Sequence, residues 1–177
     1  HAKSPPVWIG RCTASVRDWA RRQSFEYRLL GDELFRGIPL AITLKAQSRL
    51  PLADLGRLLW TRRLLKDWDR VIWIDADVLV FDPESFQIDT SQEHLVCREI
   101  LVDRRKGAKL TVARAFNPTV LMFSRESTLL DEWLRAIDRK SSTSKGLGDA
   151  DFGRDLLRQI LPHSGLPAVL SVGHFNA

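Results

Sequence analysis

Cysteine is scarce in this 177-residue chain, and long apolar runs are missing from it. Two cysteines, Cys12 and Cys97, cannot form a disulfide framework, so a disulfide-stapled scaffold is excluded and a reducing compartment is indicated. No stretch approaches the ~18 consecutive apolar residues of a membrane span, so no transmembrane helix is predicted. A hydrophobic fraction of 44% beside 28% charged residues excludes wholesale disorder and is typical of a globular domain.

Negative charge is in the minority, and the formal net charge of +5 at pH 7 favours anionic partners. The densest basic cluster surrounds Gly107 and comprises Arg104, Arg105, Lys106 and Lys109. No aromatic residues are interleaved with this cluster, so nucleic acid is not expected as a partner. The cluster is typical of a solvated loop. The alternative is a loop that contacts phosphate or touches a membrane surface peripherally.

Strand and helix patterns alternate along the chain. Apolar runs predict strands at 7–9, 71–74, 95–97 and 120–123, and strict alternation predicts another at 25–29. Helices are predicted at 15–22 and 52–66, and again beginning at Ser127 and at Asp149. This alternation indicates an α/β fold. We expect a single domain over residues 1–177, shortened at one or both ends.

A pair of aspartates, Asp75 and Asp77, directly follows the apolar run 71–74. In an extended strand, residues two apart point to the same side, so both carboxylates converge while Ala76 faces away. Two carboxylates this close repel each other unless a positive charge lies between them. Mg²⁺ or Mn²⁺ prefers oxygen ligands and keeps positions open for phosphate oxygens. The sequence therefore predicts a divalent cation site at the end of a central strand.

An apolar strand followed by Asp-x-Asp resembles the first motif of the haloacid-dehalogenase-like phosphatases. In that family Asp75 would be a covalent nucleophile. The phosphatase motif normally follows the first strand of its domain, whereas about 70 residues with strand and helix patterns come first here. Gly153 and Arg154 also stand where a later acidic partner should be. The phosphatase is therefore the second-ranked hypothesis.

A longer ordered set of motifs covers residues 7–83: Trp8-Ile9-Gly10, Trp19, Phe25-Glu26-Tyr27, Asp54-Leu55-Gly56-Arg57 and Asp75-Ala76-Asp77. This set resembles the GT-A glycosyltransferases with a DXD sugar-binding region, which include yeast-type initiating mannosyltransferases and clostridial glucosylating toxins. The resemblance implies a GT-A-type α/β/α sandwich with a central, mostly parallel sheet. The family's Gly-Gly-x-Tyr before the DXD is replaced at 69–74, in a form closer to the lipopolysaccharide galactosyltransferase and glycogenin branch.

The resemblance implies a role for each matching residue. Trp8 would stack on the nucleobase, the alternative being a core tryptophan at a strand end. Asp54 and Arg57 would bind donor sugar hydroxyls, the alternative being a local helix salt bridge. Asp75 would hold the ribose and share the metal, and Asp77 would bind the metal directly.

Three weaker matches lie downstream. Asn117, in Phe116-Asn117-Pro118, resembles the Phe-Asn-x-Gly segment of the second branch. Asp149, in Asp149-Ala150-Asp151, is similar to a segment that contacts the transferred sugar, although a helix N-cap explains it equally well. His174, in Gly173-His174-Phe175, resembles a histidine that completes the metal shell.

Together these resemblances imply a metal-dependent glycosyltransferase that moves a hexose from a UDP- or GDP-sugar, with retention. Mn²⁺ or Mg²⁺ is the expected cofactor, and Asp75, Asp77 and Arg57 are the expected catalytic residues. The acceptor would be a glycan, a lipid-linked molecule or a protein, and the expected location is cytoplasmic. A phosphatase of the dehalogenase type and a non-catalytic nucleotide-sugar-binding module are the alternatives.

Overall fold

The computed structural model describes residues 6–103, 111–161 and 168–169. The basic cluster around Gly107 and the predicted metal ligand His174 lie outside these residues. The elements in chain order are helix α1 Val7–Arg22, a short 3-10 helix Asp32–Phe35, α2 Leu40–Lys45, α3 Leu50–Leu64, β1 Arg70–Ile74, β2 His94–Asp103, β3 Thr111–Ser124, α4 Thr128–Thr143, α5 Arg154–Ile160 and β4 Ala168–Val169. None of the described helices is both long and apolar enough to cross a lipid bilayer.

The described strands form one sheet in the order β1-β3-β2-β4. β3 pairs antiparallel with both β1 and β2, and the two residues of β4 pair parallel with β2. The β2–β3 register shifts between Val96, which faces Leu121, and Cys97, which faces Asn117. This irregularity in β3 spans residues 118–120, beside the end of β1.

Helices cover both faces of the sheet because β3 is apolar on both sides. Leu121 and Phe123 point into a core formed with α3, α4 and α5, where Trp133 is fully buried. Val120 and Met122 point the opposite way, into a second core that contains Trp19 of α1. The mixed α/β class predicted from the alternating pattern is therefore confirmed.

The predicted mostly parallel central sheet does not match the observed one, which is small and antiparallel in its three longer strands. The run 71–74 was expected in a central strand, but β1 lies at the edge of the described sheet and is only half-buried. The apolar run that is covered on both faces is 120–123 instead. A continuous apolar run is thus covered on both faces at 120–123, which was predicted only as a strand, and not at 71–74, where a central strand was predicted.

Two strands predicted near the N-terminus are wrong. Residues 7–9 form the first turn of α1, because three apolar residues are too short a run to distinguish a strand from a helix. Residues 25–29 form no strand, yet their alternation has a cause: Phe25 and Tyr27 pack on the second core while Glu26 and Arg28 are exposed. Burial of alternate residues therefore occurs here without pairing in the described sheet.

Two predicted long helices are confirmed, one predicted from helix-forming composition at 52–66 and one from apolar spacing after Ser127. α3 covers most of 52–66, and α4 begins just after Ser127. A helix beginning at Asp149 is wrong, since α5 begins at Arg154 and residues 149–153 form turns and bends. Those residues constitute the 148–153 loop, which also includes Gly148.

Helix α3 packs very closely against the 3-10 helix at Gly56. A Cβ atom added at Gly56 would lie 2.7 Å from the carbonyl oxygen of Leu34. We expect Gly56→Ala to lower the free energy of unfolding by about 1–3 kcal/mol, because backbone must move to admit the methyl group. Gly10→Ala is the matched control: Gly10 also lies in a helix, with nothing within 4 Å of the added Cβ.

Urea unfolding of both variants checks this prediction. Gly10→Ala should stabilise the protein by roughly 0.5–1 kcal/mol, the helix-propensity gain of alanine over glycine. A Gly56→Ala variant as stable as Gly10→Ala would show that the contact between α3 and Leu34 is looser than described.

Candidate active site at the end of strand β1

The predicted aspartate pair lies in a turn that directly follows β1. The Asp75 N–H donates to the Thr119 carbonyl of β3 (2.9 Å), and the Val78 N–H donates back to the Asp75 carbonyl (3.1 Å). The expectation that Asp75 and Asp77 share one side of an extended strand is therefore wrong, since the chain turns between them. The two side chains still interact electrostatically, and that of Asp77 is exposed.

One oxygen of the Asp75 carboxylate receives both donors that reach this group. Oδ1 accepts a hydrogen bond from the indole Nε1 of Trp73 (2.6 Å) and lies 3.5 Å from Nη1 of Arg57. Within the described residues, no hydrogen bond is made to Oδ2. The Asp75 side chain is 30% exposed. The carboxylate is therefore held through one oxygen, Oδ1, and the side chain remains partly exposed.

Arg57 and Asp54 form a buried ion pair one turn apart on α3. Nη2 of Arg57 contacts Oδ1 of Asp54, and both residues are less than one-tenth exposed. Nη1 of Arg57 also donates to the carbonyl oxygen of Pro118 in β3 (2.8 Å). The local salt bridge considered from the sequence is thus present, but it also extends from helix to sheet and reaches Asp75. We refer to these three side chains as the Asp54–Arg57–Asp75 cluster.

Burial raises the pKa of both carboxyl groups in the cluster. For Asp75, desolvation raises the pKa, the charge of Arg57 and the Trp73 hydrogen bond oppose it, and the charge of Asp77 adds to it. For Asp54, desolvation again raises the pKa most, and Arg57 opposes it by charge and by hydrogen bonding. The site therefore holds more negative charge than its single arginine balances, which is a setting suited to a cation.

The raised pKa of Asp54 has a consequence for stability. A carboxyl group whose pKa is higher in the folded than in the unfolded state favours folding below its ordinary pKa, and this contribution is lost as pH rises through the folded-state value. We expect the unfolding free energy of wild type, relative to Asp54→Asn, to fall across that window by at most about 1.4 kcal/mol per pH unit.

Urea unfolding of both proteins between acidic and neutral pH measures this difference, because asparagine has a similar shape and does not titrate. A difference that is constant with pH, or that grows as pH rises, would contradict a raised pKa for Asp54.

The 148–153 loop packs against Asp54. It is fixed to its surroundings by the Phe152 carbonyl, which accepts a hydrogen bond from Nε1 of Trp133 (2.8 Å), and by an ion pair between Lys140 and Asp151 (2.7 Å). The Gly148 N–H also donates to Asp151 (2.7 Å). The backbone at Gly153 comes so near that an added Cβ would lie 2.5 Å from Oδ2 of Asp54. The loop therefore packs directly against the Asp54 side of the cluster.

The other predicted site residues in the described ranges, Trp8, Asn117 and Asp149, lie in α1, in β3 and in the 148–153 loop. Trp8 is not at a strand end but in the first turn of α1, and it is 53% exposed. Cys12, one turn further on, has its Sγ 3.5 Å from the Asp77 carbonyl, so α1 runs beside the aspartate turn. Asn117 accepts a hydrogen bond from the Thr119 N–H (3.0 Å), next to Pro118. Asp149 is exposed and accepts a hydrogen bond from Ser48, which lies just before α3. It is not the N-cap of α5, which begins at Arg154.

Three contacts at the site were not predicted from the sequence. Trp73 lies two residues before Asp75, so the alternation of a strand was a signal that placed both on one side. The Pro118 carbonyl and the Gly153 backbone carry no comparable signal, because their contacts arise when β3 and the 148–153 loop dock against α3. Backbone groups of this kind can be identified only once the tertiary fold is known.

Among the described residues, the arrangement offers the positive charge of Arg57, an Asp75 oxygen that accepts no hydrogen bond, and the exposed carboxylate of Asp77. In the part of the chain that the structure describes, no group of three or more His, Cys, Asp or Glu side chains could hold a metal ion. Asp75 and Asp77 would therefore bind a cation together with ligands from outside the described residues, or with oxygens from a bound molecule or water. Comparison with known protein families, curated proteins and solved structures gave no significant match for this chain.

Proposed function

We propose that this protein is a metal-dependent glycosyltransferase that moves a hexose from a UDP- or GDP-sugar to a glycan, lipid-linked or protein acceptor. The observation that carries the proposal is the Asp54–Arg57–Asp75 cluster. Three residues singled out by resemblance to the DXD glycosyltransferases meet at one place, although α3 and the end of β1 are separate elements. The proposed architecture is a GT-A-type α/β/α sandwich, and helices on both faces of the sheet support it.

The carboxylates suit a divalent cation by their chemistry. Oδ2 of Asp75 and the exposed carboxylate of Asp77 are hard oxygen ligands of the kind that Mg²⁺ and Mn²⁺ prefer. Two protein ligands leave several coordination positions for phosphate oxygens, which is how a cation binds together with a nucleotide. When bound, such a cation stabilises the negative charge that develops on the leaving diphosphate. His174 is proposed as a further ligand.

Arg57 contributes a positive charge that is held in a fixed position. Its guanidinium is held by the Asp54 carboxylate and the Pro118 carbonyl, so little reorganisation is needed to interact with a ligand. A buried arginine is always charged, and its planar fork matches phosphate and hydroxyl groups better than lysine does. We propose that Asp54 orients Arg57 and that Arg57 stabilises negative charge on the donor.

The remaining proposed contacts are with the nucleoside and with the sugar of the donor. The exposed indole of Trp8 offers a flat surface for the nucleobase, beside the helix that contacts the aspartate turn. Asp75 would also meet the ribose. Asn117 and Asp149 would face the transferred sugar, from β3 and from the 148–153 loop. Retention of anomeric configuration is proposed from the resemblance alone.

Incubation of the full chain with Mn²⁺ and a panel of UDP- and GDP-sugars tests the proposal. Slow release of nucleoside diphosphate that stops in EDTA is the expected result. Turnover of a phosphomonoester, lost in Asp75→Asn, would instead support the dehalogenase-type phosphatase. Nucleotide-sugar binding without any turnover would support the non-catalytic module.

A further inference from the structure

Gly153 stands at a position where any side chain would strike the cluster. The added Cβ would lie 2.5 Å from Oδ2, 3.1 Å from Cγ and 3.3 Å from Oδ1 of Asp54. Real Cβ atoms essentially never approach other atoms closer than 3.0 Å, so something must move to admit even alanine. Either the loop backbone at Gly153 or the Asp54 carboxylate must therefore move.

The loop is fixed on both sides of Gly153. Phe152 has no exposed surface, and its carbonyl accepts the Trp133 hydrogen bond. On the other side, the Gly153 carbonyl accepts the Leu157 N–H (3.0 Å), which begins α5, and Leu157 is fully buried. Moving the backbone at 153 would disturb the main core, whereas a carboxylate at the end of a side chain can rotate. Asp54 is therefore the group that moves.

We propose that Gly153 is a positioning residue. Because it leaves room for the Asp54 side chain, Asp54 can hold Arg57 in place, and Arg57 in turn orients the Asp75 carboxylate. Displacing Asp54 removes one of the contacts that orient Arg57. The hydrogen bond that Arg57 donates to the Pro118 carbonyl remains. Arg57 then shifts relative to Oδ1 of Asp75, the oxygen that it shares with Trp73. The 148–153 loop and the aspartate turn are thereby coupled, although they do not share a hydrogen bond among the described residues.

The Trp73 indole provides a signal for this coupling that does not depend on catalysis. Its N–H donates to the same Asp75 oxygen that Arg57 approaches, so its proton and nitrogen chemical shifts report changes in that carboxylate. We expect Gly153→Ala to shift the Trp73 indole resonance, which is assigned by its loss in Trp73→Phe. Gly148→Ala is the control in the same loop, because its Cβ would meet atoms only at ordinary distances of 3.8 and 3.9 Å.

A double-mutant cycle then separates transmission through Asp54 from other effects of the methyl group. Asp54→Ala removes the atoms that the new Cβ would strike, so adding Gly153→Ala in that background should not move the Trp73 resonance further. An equal shift in both backgrounds, or no shift from Gly153→Ala with Asp54 intact, would overturn the proposal.

The functional part of the inference rests on the proposed nucleotide-sugar site. We expect Gly153→Ala to weaken binding of UDP or GDP with Mn²⁺ by about tenfold, within the range of coupling between residues in contact, while Gly148→Ala binds as wild type. If wild type binds neither nucleotide, the proposed function fails, and the Trp73 resonances still decide whether Gly153 positions Asp75. If nucleotide binds equally to Gly153→Ala and wild type, the positioning role fails and the proposed function stands.

Discussion

Replacement of Asp77 by alanine is expected to remove metal-dependent nucleotide binding while leaving the fold intact. The Asp77 side chain is exposed, and only its backbone carbonyl is contacted by Cys12, so truncation removes no core contact. The proposed cation site would lose one of its two carboxylates in the described residues. We expect affinity for UDP or GDP in Mn²⁺ to fall more than about 100-fold, beyond the cost of losing an outer-shell partner.

Calorimetric titration of UDP and GDP in Mn²⁺ checks this expectation, with Asp67→Ala as the matched control. Asp67 is also exposed and lies near the opposite end of β1, and its replacement by alanine removes the same charge. The control should bind nucleotide as wild type does. Equal losses in both variants would mean that net charge rather than a specific ligand governs binding, and normal binding by Asp77→Ala would remove this residue from the site.

Replacement of Arg57 by methionine is expected to give the largest loss of stability. Asp54 is only 7% exposed and its carboxylate contacts Arg57, so the variant leaves a buried negative charge without its partner. Removing one member of a buried pair typically costs about 3–5 kcal/mol, because the remaining charge keeps its desolvation penalty. The Pro118 carbonyl also loses its donor from Arg57.

Urea unfolding measures this loss as a lower midpoint with an unchanged slope. Arg62→Met is the control on the same helix, where the side chain is exposed and the expected change is within about 0.5 kcal/mol. Replacing both members, as Asp54→Leu with Arg57→Met, should recover part of the stability, since the buried charge of Asp54 is removed as well, whereas Asp75 and the Pro118 carbonyl still lack Arg57. If Arg57→Met were no less stable than Arg62→Met, the ion pair would not be buried as described.

The fold was predictable where one element provides its own pattern. Helix α4 buries a full stripe that includes Trp133 and Ile137, and its amphipathic spacing is visible in the sequence. The N-terminal run 7–9 is too short to carry such a pattern, and its helix is fixed instead by continuity with the rest of α1, where Trp19 and Ala20 belong to the second core. Strand order was not predictable, because β1 pairs with β3, which lies after β2 in the chain.

The site was predictable where spacing along one element suffices. Asp54 and Arg57 are one helical turn apart, so their contact follows from sequence. That Asp75 joins them could be expected only from the glycosyltransferase resemblance, since it depends on how α3 packs on β1. The close approach of Gly153 was beyond sequence reasoning, because it results from the docking of a loop that lies about 100 residues further along the chain.

In the proposed function, Asp75 and Asp77 hold a cation together with a nucleoside diphosphate. A crystal structure with Mn²⁺ and UDP, recorded at the manganese absorption edge, tests it most directly. We expect one anomalous peak within coordination distance of Oδ2 of Asp75, of the Asp77 carboxylate and of both phosphates. Manganese bound elsewhere, or uridine diphosphate bound with neither aspartate near its phosphates, would contradict the account.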